Sequence, residues 1–289
     1  KKVLDRVLAG DVPELAGAVL MNSCDAMRRL ADAWQAARPG DNLLLVDLPV
    51  TVDEPAIRFF AGQLEEMAAK LKAWGGADFS DEDVENGLAE FNTLSRTLER
   101  LGMDRAVRQQ IYNDCTQRSL AESVRLCDVT ANTAPAKAAE GVPVYLFGNV
   151  LPDPETFAMF AACGAQIVGD DLCTGHRQFA GQAGGDPKAS VYRRLARNIL
   201  SRPPCARTFF PEQPGRRAQD TLAAAQACGA AGVIGHTVKF CDPYLARMPI
   251  FREEFKAAGM PLLLLEGDCT LRSFGQQRTR IEAFIEMLR

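Results

Sequence analysis

Nine cysteines in 289 residues are the chemically pointed feature of this sequence, and none of them forms a close C-x-x-C pair. They are Cys24, Cys115, Cys127, Cys163, Cys173, Cys205, Cys228, Cys241 and Cys269. The count is odd and no export leader is visible, so a disulfide framework is disfavoured, and packing thiols or metal ligands remain. Three cysteines follow apolar runs that read as strand ends: Cys24 after "AVLMNS", Cys173 after "IVGDDL" and Cys241 after "VIGHTVKF". Each lies in a loop feeding a helix. Open parallel sheets bind ligands beyond the carboxyl ends of their strands. Amides at a helix N-terminus favour the thiolate, which is the form that binds iron. Cys269, after "LLLLEGD", has the same placement, whereas Cys163 and Cys228 end Ala-rich helices before a glycine and read as small packing residues. The wide spacings exclude a zinc ribbon or a ferredoxin-type run. On placement alone, a cluster held by dispersed cysteines and a set of ordinary buried thiols both stay open.

Several polar residues keep company with these thiols. His176 and Arg177 follow Cys173 closely, placed either to donate to a sulfide or substrate carbonyl or to sit in a solvated loop. His236 ends an apolar strand and reads as a core histidine. Asp25 and Asp242 directly follow ligand candidates, and they read as helix caps, because hard carboxylates suit iron–sulfur clusters poorly. Lys239 would offset the charge of a thiolate-bound cluster at Cys241. Arg278 and Arg280 fall in the expected first turn of the last helix, where the dipole disfavours cations, so an anion or an inter-subunit carboxylate would compensate.

The elements that must position these residues alternate. Strands are expected at 17–21, 42–50, 142–148, 166–172, 231–236 and 260–268, with helices between most of them. A helical block from about Glu54 to Leu126 interrupts the series with two breaks. Ser80 and Asp83 form a capping-box pattern at the first break, and Gly102 is a helix stop at the second. Strands alternating with helices imply right-handed crossovers and parallel sheets. The fold class is α/β: two flavodoxin- or Rossmann-like three-layer domains joined by a helical segment. The expected division is residues 1–52 as the remainder of an N-terminal domain, 53–130 as the helical segment and 131–289 as the C-terminal domain. The sequence opens at Lys1 in mid-pattern, which predicts that an N-terminal piece lies outside it, a processed terminus or tag remnant being the alternative.

Composition narrows the function. A net charge of −4 and a pI near 5.4 argue against nucleic acid as the main partner. No apolar run approaches the roughly 20 residues of a membrane span, and a cytoplasmic protein is expected. No G-x-G-x-x-G follows a strand and no G-x-x-x-x-G-K-[ST] occurs, so nucleotide binding is disfavoured. "GQAGGDPK" reads as a loop.

Taken together, "NSCDAMRRLADAW", "GDDLCTGHRQF", "VKFCDPY" and "GQQRTRIEAFIEML", with "FGNVLPDPE" near Gly148, resemble the 2-hydroxyacyl-CoA dehydratase D-component family. The family also holds subunits of ATP-dependent benzoyl-CoA reductase and double-cubane cluster proteins. The resemblance runs from about Lys1 to Arg289, with the motifs in the family's order. It implies two α/β domains and a 4Fe-4S cluster held by three cysteines, one iron being open to a non-protein ligand or substrate. It implies a homologous second subunit or a homodimer, and an ATP-hydrolysing iron–sulfur activator that delivers one electron at very low potential. In the dehydratases that electron gives a ketyl radical on an acyl-CoA thioester, which expels the hydroxyl. Carried over by motif, Cys24 and Cys241 are ligands and Cys173 is the next candidate, with Cys205 in reserve. Many members also carry a cysteine at a position upstream of Lys1, so the third ligand stays open. A double-cubane reductase of small molecules and a non-catalytic electron-transfer or activator-docking protein are the rival functions, and a metal-free domain with packing thiols is the remaining one. Substrate identity and acid–base residues are not legible.

Overall fold

The computed structural model describes residues 2–133, 140–181, 186, 188–268 and 274–289. The chain begins α1 (Lys2–Ala9), β1 (Ala18–Asn22), α2 (Asp25–Ala37), β2 (Leu43–Asp47) and α3 (Glu54–Ala73). Three further helices follow: α4 (Asp81–Arg100), α5 (Arg105–Cys115) and α6 (Leu120–Thr133). The remainder runs β3 (Val142–Gly148), α7 (Pro154–Ala162), β4 (Ala165–Leu172), α8 (His176–Phe179), α9 (Val191–Leu200) and α10 (Arg216–Ala227), then β5 (Gly232–Val238), α11 (Asp242–Ala257), β6 (Leu262–Gly267) and α12 (Phe274–Leu288). The α/β class with parallel sheets is therefore observed. Two compact units divide the chain. One comprises Lys1–Asn86, Gln182–Ser201 and Arg207–Phe209, and the other Gly87–Gly181, Arg202–Ala206 and Phe210–Arg289.

In the first unit β1 and β2 pair in parallel, Ala18 with Leu43 through Asn22 with Asp47. Val46 of β2 packs with Ile57, Phe60, Ala61 and Leu64 of α3 and with Ala196 of α9. The α3 positions recur at three- and four-residue intervals, the spacing of one helix face. Asp53 caps α3 by accepting from the Ala56 N–H at 2.9 Å, and a proline occupies the first turn, where its missing donor costs nothing.

The second unit is a four-stranded parallel sheet in the order β4-β3-β5-β6. Its strands alternate faces. Val144 and Leu146 pack with Phe157 and Phe160 of α7 and Ile281 and Ile285 of α12. Tyr145 and Phe147 pack the opposite way, with Ala218 and Ala225 of α10 and Tyr244, Phe251 and Phe255 of α11. Helices thus cover both faces of the sheet, which makes three layers. Each fully buried side chain of this size stabilises by about 1.5–3 kcal/mol. The chain steps from β3 outward to β4, then returns past β3 to β5, so the strand order reverses between β3 and β5. That reversal is where such sheets bind ligands.

The helical block has three breaks rather than two. Ser80 and Asp83 do form a capping box at α4, with the Ser80 N–H donating to Asp83 Oδ2 at 2.7 Å and the Asp83 N–H to Ser80 Oγ at 3.3 Å. Helix α4 ends at Arg100, just ahead of Gly102. The unforeseen break precedes α6, where Ser119 and Glu122 form a second reciprocal box. Of the expected "GQAGGDPK" loop, residues 182–185 and 187 lie outside the described residues. Arg278 and Arg280 stand beyond the first turn of α12, because the helix starts at Phe274. Arg278 pairs with Glu282 at 2.7 Å and Arg280 donates to the Leu264 carbonyl at 2.8 Å, so no outside carboxylate is needed.

Candidate functional site

At the strand-order reversal the second unit brings three strand ends together through one side chain. Gly148 ends β3 opposite His236 of β5 with φ +138°, and a Cβ there would collide with the His236 carbonyl. Glycine is the residue that permits this approach. Asn149 follows and uses every polar group it has. Its N–H donates to the His236 carbonyl at 3.0 Å, and its own carbonyl accepts from the Cys173 N–H at 3.2 Å. Its Oδ1 accepts from the Val238 N–H at 2.9 Å. Its Nδ2 donates to Cys241 Sγ at 3.0 Å. The ends of β3, β4 and β5 are thereby tied to the sulfur of Cys241.

Cys241 itself is the N-cap residue of α11, partly buried, with no side-chain cap hydrogen bond to the helix. Its carbonyl accepts from the N–H groups of Tyr244 and Leu245 at 3.1 and 3.0 Å. The chain reaches it through Phe240, which is 90% exposed and adopts φ 68°. That left-handed conformation costs a bulky residue about 1–3 kcal/mol, and it turns the thiol back toward the strand ends.

Beneath the neighbouring strand end lies a buried ionic assembly. Arg177 donates from Nε to Asp171 Oδ1 at 2.7 Å and from Nη2 to the Asp171 carbonyl at 2.7 Å and the Tyr244 hydroxyl at 2.8 Å. Its Nη1 faces Cys173 Sγ at 3.3 Å. Arg217 binds the other Asp171 oxygen and donates to Thr221 Oγ1 at 2.6 Å. Burial works against the Asp171 carboxylate, yet Arg177 and Arg217 hold it below the usual carboxylate range. Burial likewise pushes the Tyr244 phenol up, opposed by the same two guanidinium groups. Two guanidinium groups share one carboxylate, and the cation left over points at a sulfur. That positive charge offsets only part of what Cys205 and burial impose against a thiolate at Cys173. Gly175 closes the turn, since a Cβ there would meet Asp170 Oδ1.

Cys173 differs from the sequence expectation in two respects. It precedes the short helix α8, whose N-cap is Gly175. Its thiol is pushed up, first by a hydrogen bond with Cys205 and then by burial, with Arg177 opposing. Cys205 is therefore a direct neighbour of Cys173.

Cys24 belongs to the first unit, where it is the N-cap residue of α2, two residues beyond the end of β1, and partly buried. Asp25 and Asp242 do not cap their helices. The cysteines occupy the cap positions, and the two aspartates are the first helical residues after them. Cys163 is buried, as packing requires, but Cys228 is exposed at the end of α10 and is no core thiol. Cys115 and Cys127 sit buried in the core of α4–α6 and hydrogen-bond each other, which pushes Cys127 up. Lys239 is exposed, its N–H bonded to the Gly267 carbonyl. His236 is fully buried. Cys269 lies outside the described residues.

No local motif marks Asn149, Asp171, Arg217 or Tyr244 as a site residue in the sequence. The one signal for Asn149 was its place directly after the glycine that ends β3. The donor chemistry fits an iron–sulfur cluster: soft sulfurs at strand ends, two of them facing N–H donors, with a buried cation beside them. Among the described residues, no three His, Cys, Asp or Glu side chains close around a point as the ligands of a single ion would. A cubane binds each thiolate to a different iron, so its ligands need not do so. Among the described residues no helix is long and apolar enough to cross a membrane.

A family model described as 2-hydroxyglutaryl-CoA dehydratase, D-component, matches residues 1–288. The chain is 24% identical over 301 residues to the (R)-phenyllactyl-CoA dehydratase beta subunit of Clostridium sporogenes, covering 99% of this chain and 78% of that one. It is 22% identical over 301 residues to the lactoyl-CoA dehydratase subunit beta of Anaerotignum propionicum, covering 100% and 79%. A shorter match, 27% identical over 156 residues, links it to the beta subunit of (R)-2-hydroxyglutaryl-CoA dehydratase of Acidaminococcus fermentans, covering 54% and 41%.

Proposed function

The chain belongs to the 2-hydroxyglutaryl-CoA dehydratase D-component family, and from that membership we propose that it is an iron–sulfur subunit of a 2-hydroxyacyl-CoA dehydratase. The reaction is loss of water from an acyl-CoA thioester, carried out together with a homologous second subunit. An ATP-hydrolysing iron–sulfur activator supplies the electron. Cys24, Cys173 and Cys241 are each proposed as iron ligands. When bound, a 4Fe-4S cluster supplies one-electron chemistry at low potential.

The observation that carries this reading is the sulfur of Cys241 at the strand-order reversal, held by the Asn149 amide at 3.0 Å. The chain's own residues orient the thiols and balance their charge. Asn149 fixes the direction of Cys241 Sγ, and Arg177 presents a buried cation to Cys173 Sγ at 3.3 Å. Cys205, hydrogen-bonded to Cys173, favours a second reading in which an extra thiol supports a double cubane and reduction of a small molecule.

The experiment is anaerobic purification, iron and sulfide analysis, and an assay with the partner subunit, the activator and ATP. About four irons per chain and water loss from a 2-hydroxyacyl-CoA are the expected results. About eight irons would favour the double cubane. Iron-free protein from an oxygen-free preparation would overturn both readings.

A further inference from the structure

The Asn149 amide has only one orientation compatible with its surroundings. The Val238 N–H, 2.9 Å away, demands an oxygen, so the side-chain carbonyl must face it. The NH₂ group is then directed at Cys241 Sγ, 3.0 Å away, with the sulfur as acceptor. The residue is 9% exposed, so this donor is shielded from competing water. Its backbone is pinned on both sides, by the His236 carbonyl at 3.0 Å and the Cys173 N–H at 3.2 Å. Such a donor meets the sulfur without the loss of freedom that a mobile side chain would bring.

We propose that Asn149 is a positioning residue for the Cys241 sulfur, fixing its direction and raising the reduction potential of the cluster it would ligate. The proposal rests on the reading of Cys241 as an iron ligand. The physical basis is charge: an N–H aimed at a ligand sulfur stabilises the reduced, more negative state more than the oxidised one. Asn149 touches no reacting atom in this account, and it acts through Cys241.

The test compares the anaerobically purified wild type with Asn149→Asp and Asn149→Ala. The readouts are iron and sulfide content, midpoint potential by EPR-monitored titration, and hydrogen exchange of the β3 and β5 amides. Asn149→Asp keeps the acceptor for Val238 but replaces the donor to sulfur by a charged carboxylate oxygen, whereas Asn149→Ala removes donor and acceptor without adding charge. In both variants the ratio of reduced to oxidised cluster at a fixed potential is expected to fall about tenfold, a drop of about 59 mV for one electron. Asn149→Asp should leave exchange at Val238 near the wild-type rate, and the fall in potential must appear in Asn149→Ala as well, where no charge is added. Loss of iron from Asn149→Asp with unchanged exchange also supports the proposal. Equal iron at equal potential in wild type and either variant overturns it, while iron-free wild type overturns the ligand reading itself.

Discussion

Replacing Arg177 with methionine probes the ionic assembly under Cys173 most sharply. Arg177, Asp171 and Arg217 are 8%, 5% and 2% exposed, and the Tyr244 ring is fully buried. Removing one partner of a buried ion pair costs about 3–5 kcal/mol. Arg217 still neutralises Asp171, which places this part at the low end, about 3 kcal/mol. The Tyr244 hydroxyl also loses the guanidinium that donates to it, adding about 1 kcal/mol or more. The sum is about 4 kcal/mol, a large share of the roughly 5–15 kcal/mol of a typical domain. Both tryptophans, Trp34 and Trp74, lie in the first unit, so their fluorescence would follow the wrong part of the chain. Hydrogen exchange of peptides from β3, β4 and β5 is the appropriate assay, and protection there should fall about a thousandfold, at 1.36 kcal/mol per decade. Arg118→Met is the control. Its ion pair with Asp114 spans 3.6 Å at 41% and 30% exposure, and it should change protection by under about 1 kcal/mol. Equal protection in the two variants would show that the buried pair at Arg177 is worth no more than the exposed one at Arg118. Replacing all the charged members together is a different experiment, since well-packed apolar residues can match buried ions in stability.

Two further outcomes follow from the same strand ends. Burial pushes the His236 imidazole down from 6.5 to about 4, against the pull of Asp268. Its stabilisation is complete above pH 6.5, where the unfolded chain is also neutral, and it is lost as pH falls toward about 4, about 3 kcal/mol in all. Urea midpoints near pH 7 and near pH 5 should therefore diverge in the wild type and converge in His236→Leu, and equal slopes in both would contradict the assignment. Gly148→Ala combines an unfavourable φ of +138° with a collision against the His236 carbonyl, whereas Gly229→Ala, at φ +67° with open space, has only the first cost. The φ cost alone is about 1–3 kcal/mol, so exchange at β3 should show Gly148→Ala as the more destabilised variant, and equal losses would remove the close approach from the account.

The fold was largely legible because each strand is built on a short apolar run, although β4 carries Asp170 and Asp171 near its end and β5 carries His236 and Thr237. β3 spans Val142–Gly148, the expected bounds, since both its faces are buried and every position must be apolar or small. The Ser80 box was readable because both partners are three residues apart. The break before α6 was not anticipated, although Ser119 and Glu122 carry the same pattern inside a run with no glycine or proline. The site was legible at its cysteines and illegible around them. Asn149 and Cys241 are 92 residues apart in the chain, and Arg177 and Tyr244 are 67 apart, so no local spacing announces either contact. Cys163 and Cys228 share one sequence context, alanine-rich and followed by glycine, yet one is buried and the other exposed. Cys163 packs into the cluster that holds Phe157, Phe160 and Ile285, whereas Cys228 ends α10 exposed, and the local sequence does not encode that difference.

Serine replacement tests directly whether Cys241 holds iron. Cys241→Ser and Cys228→Ser, purified without oxygen, should differ in iron and sulfide. Cys241→Ser is expected to lose its cluster while Cys228→Ser, altered at an exposed helix end, keeps the wild-type content. Equal iron in the two proteins would contradict iron ligation by Cys241.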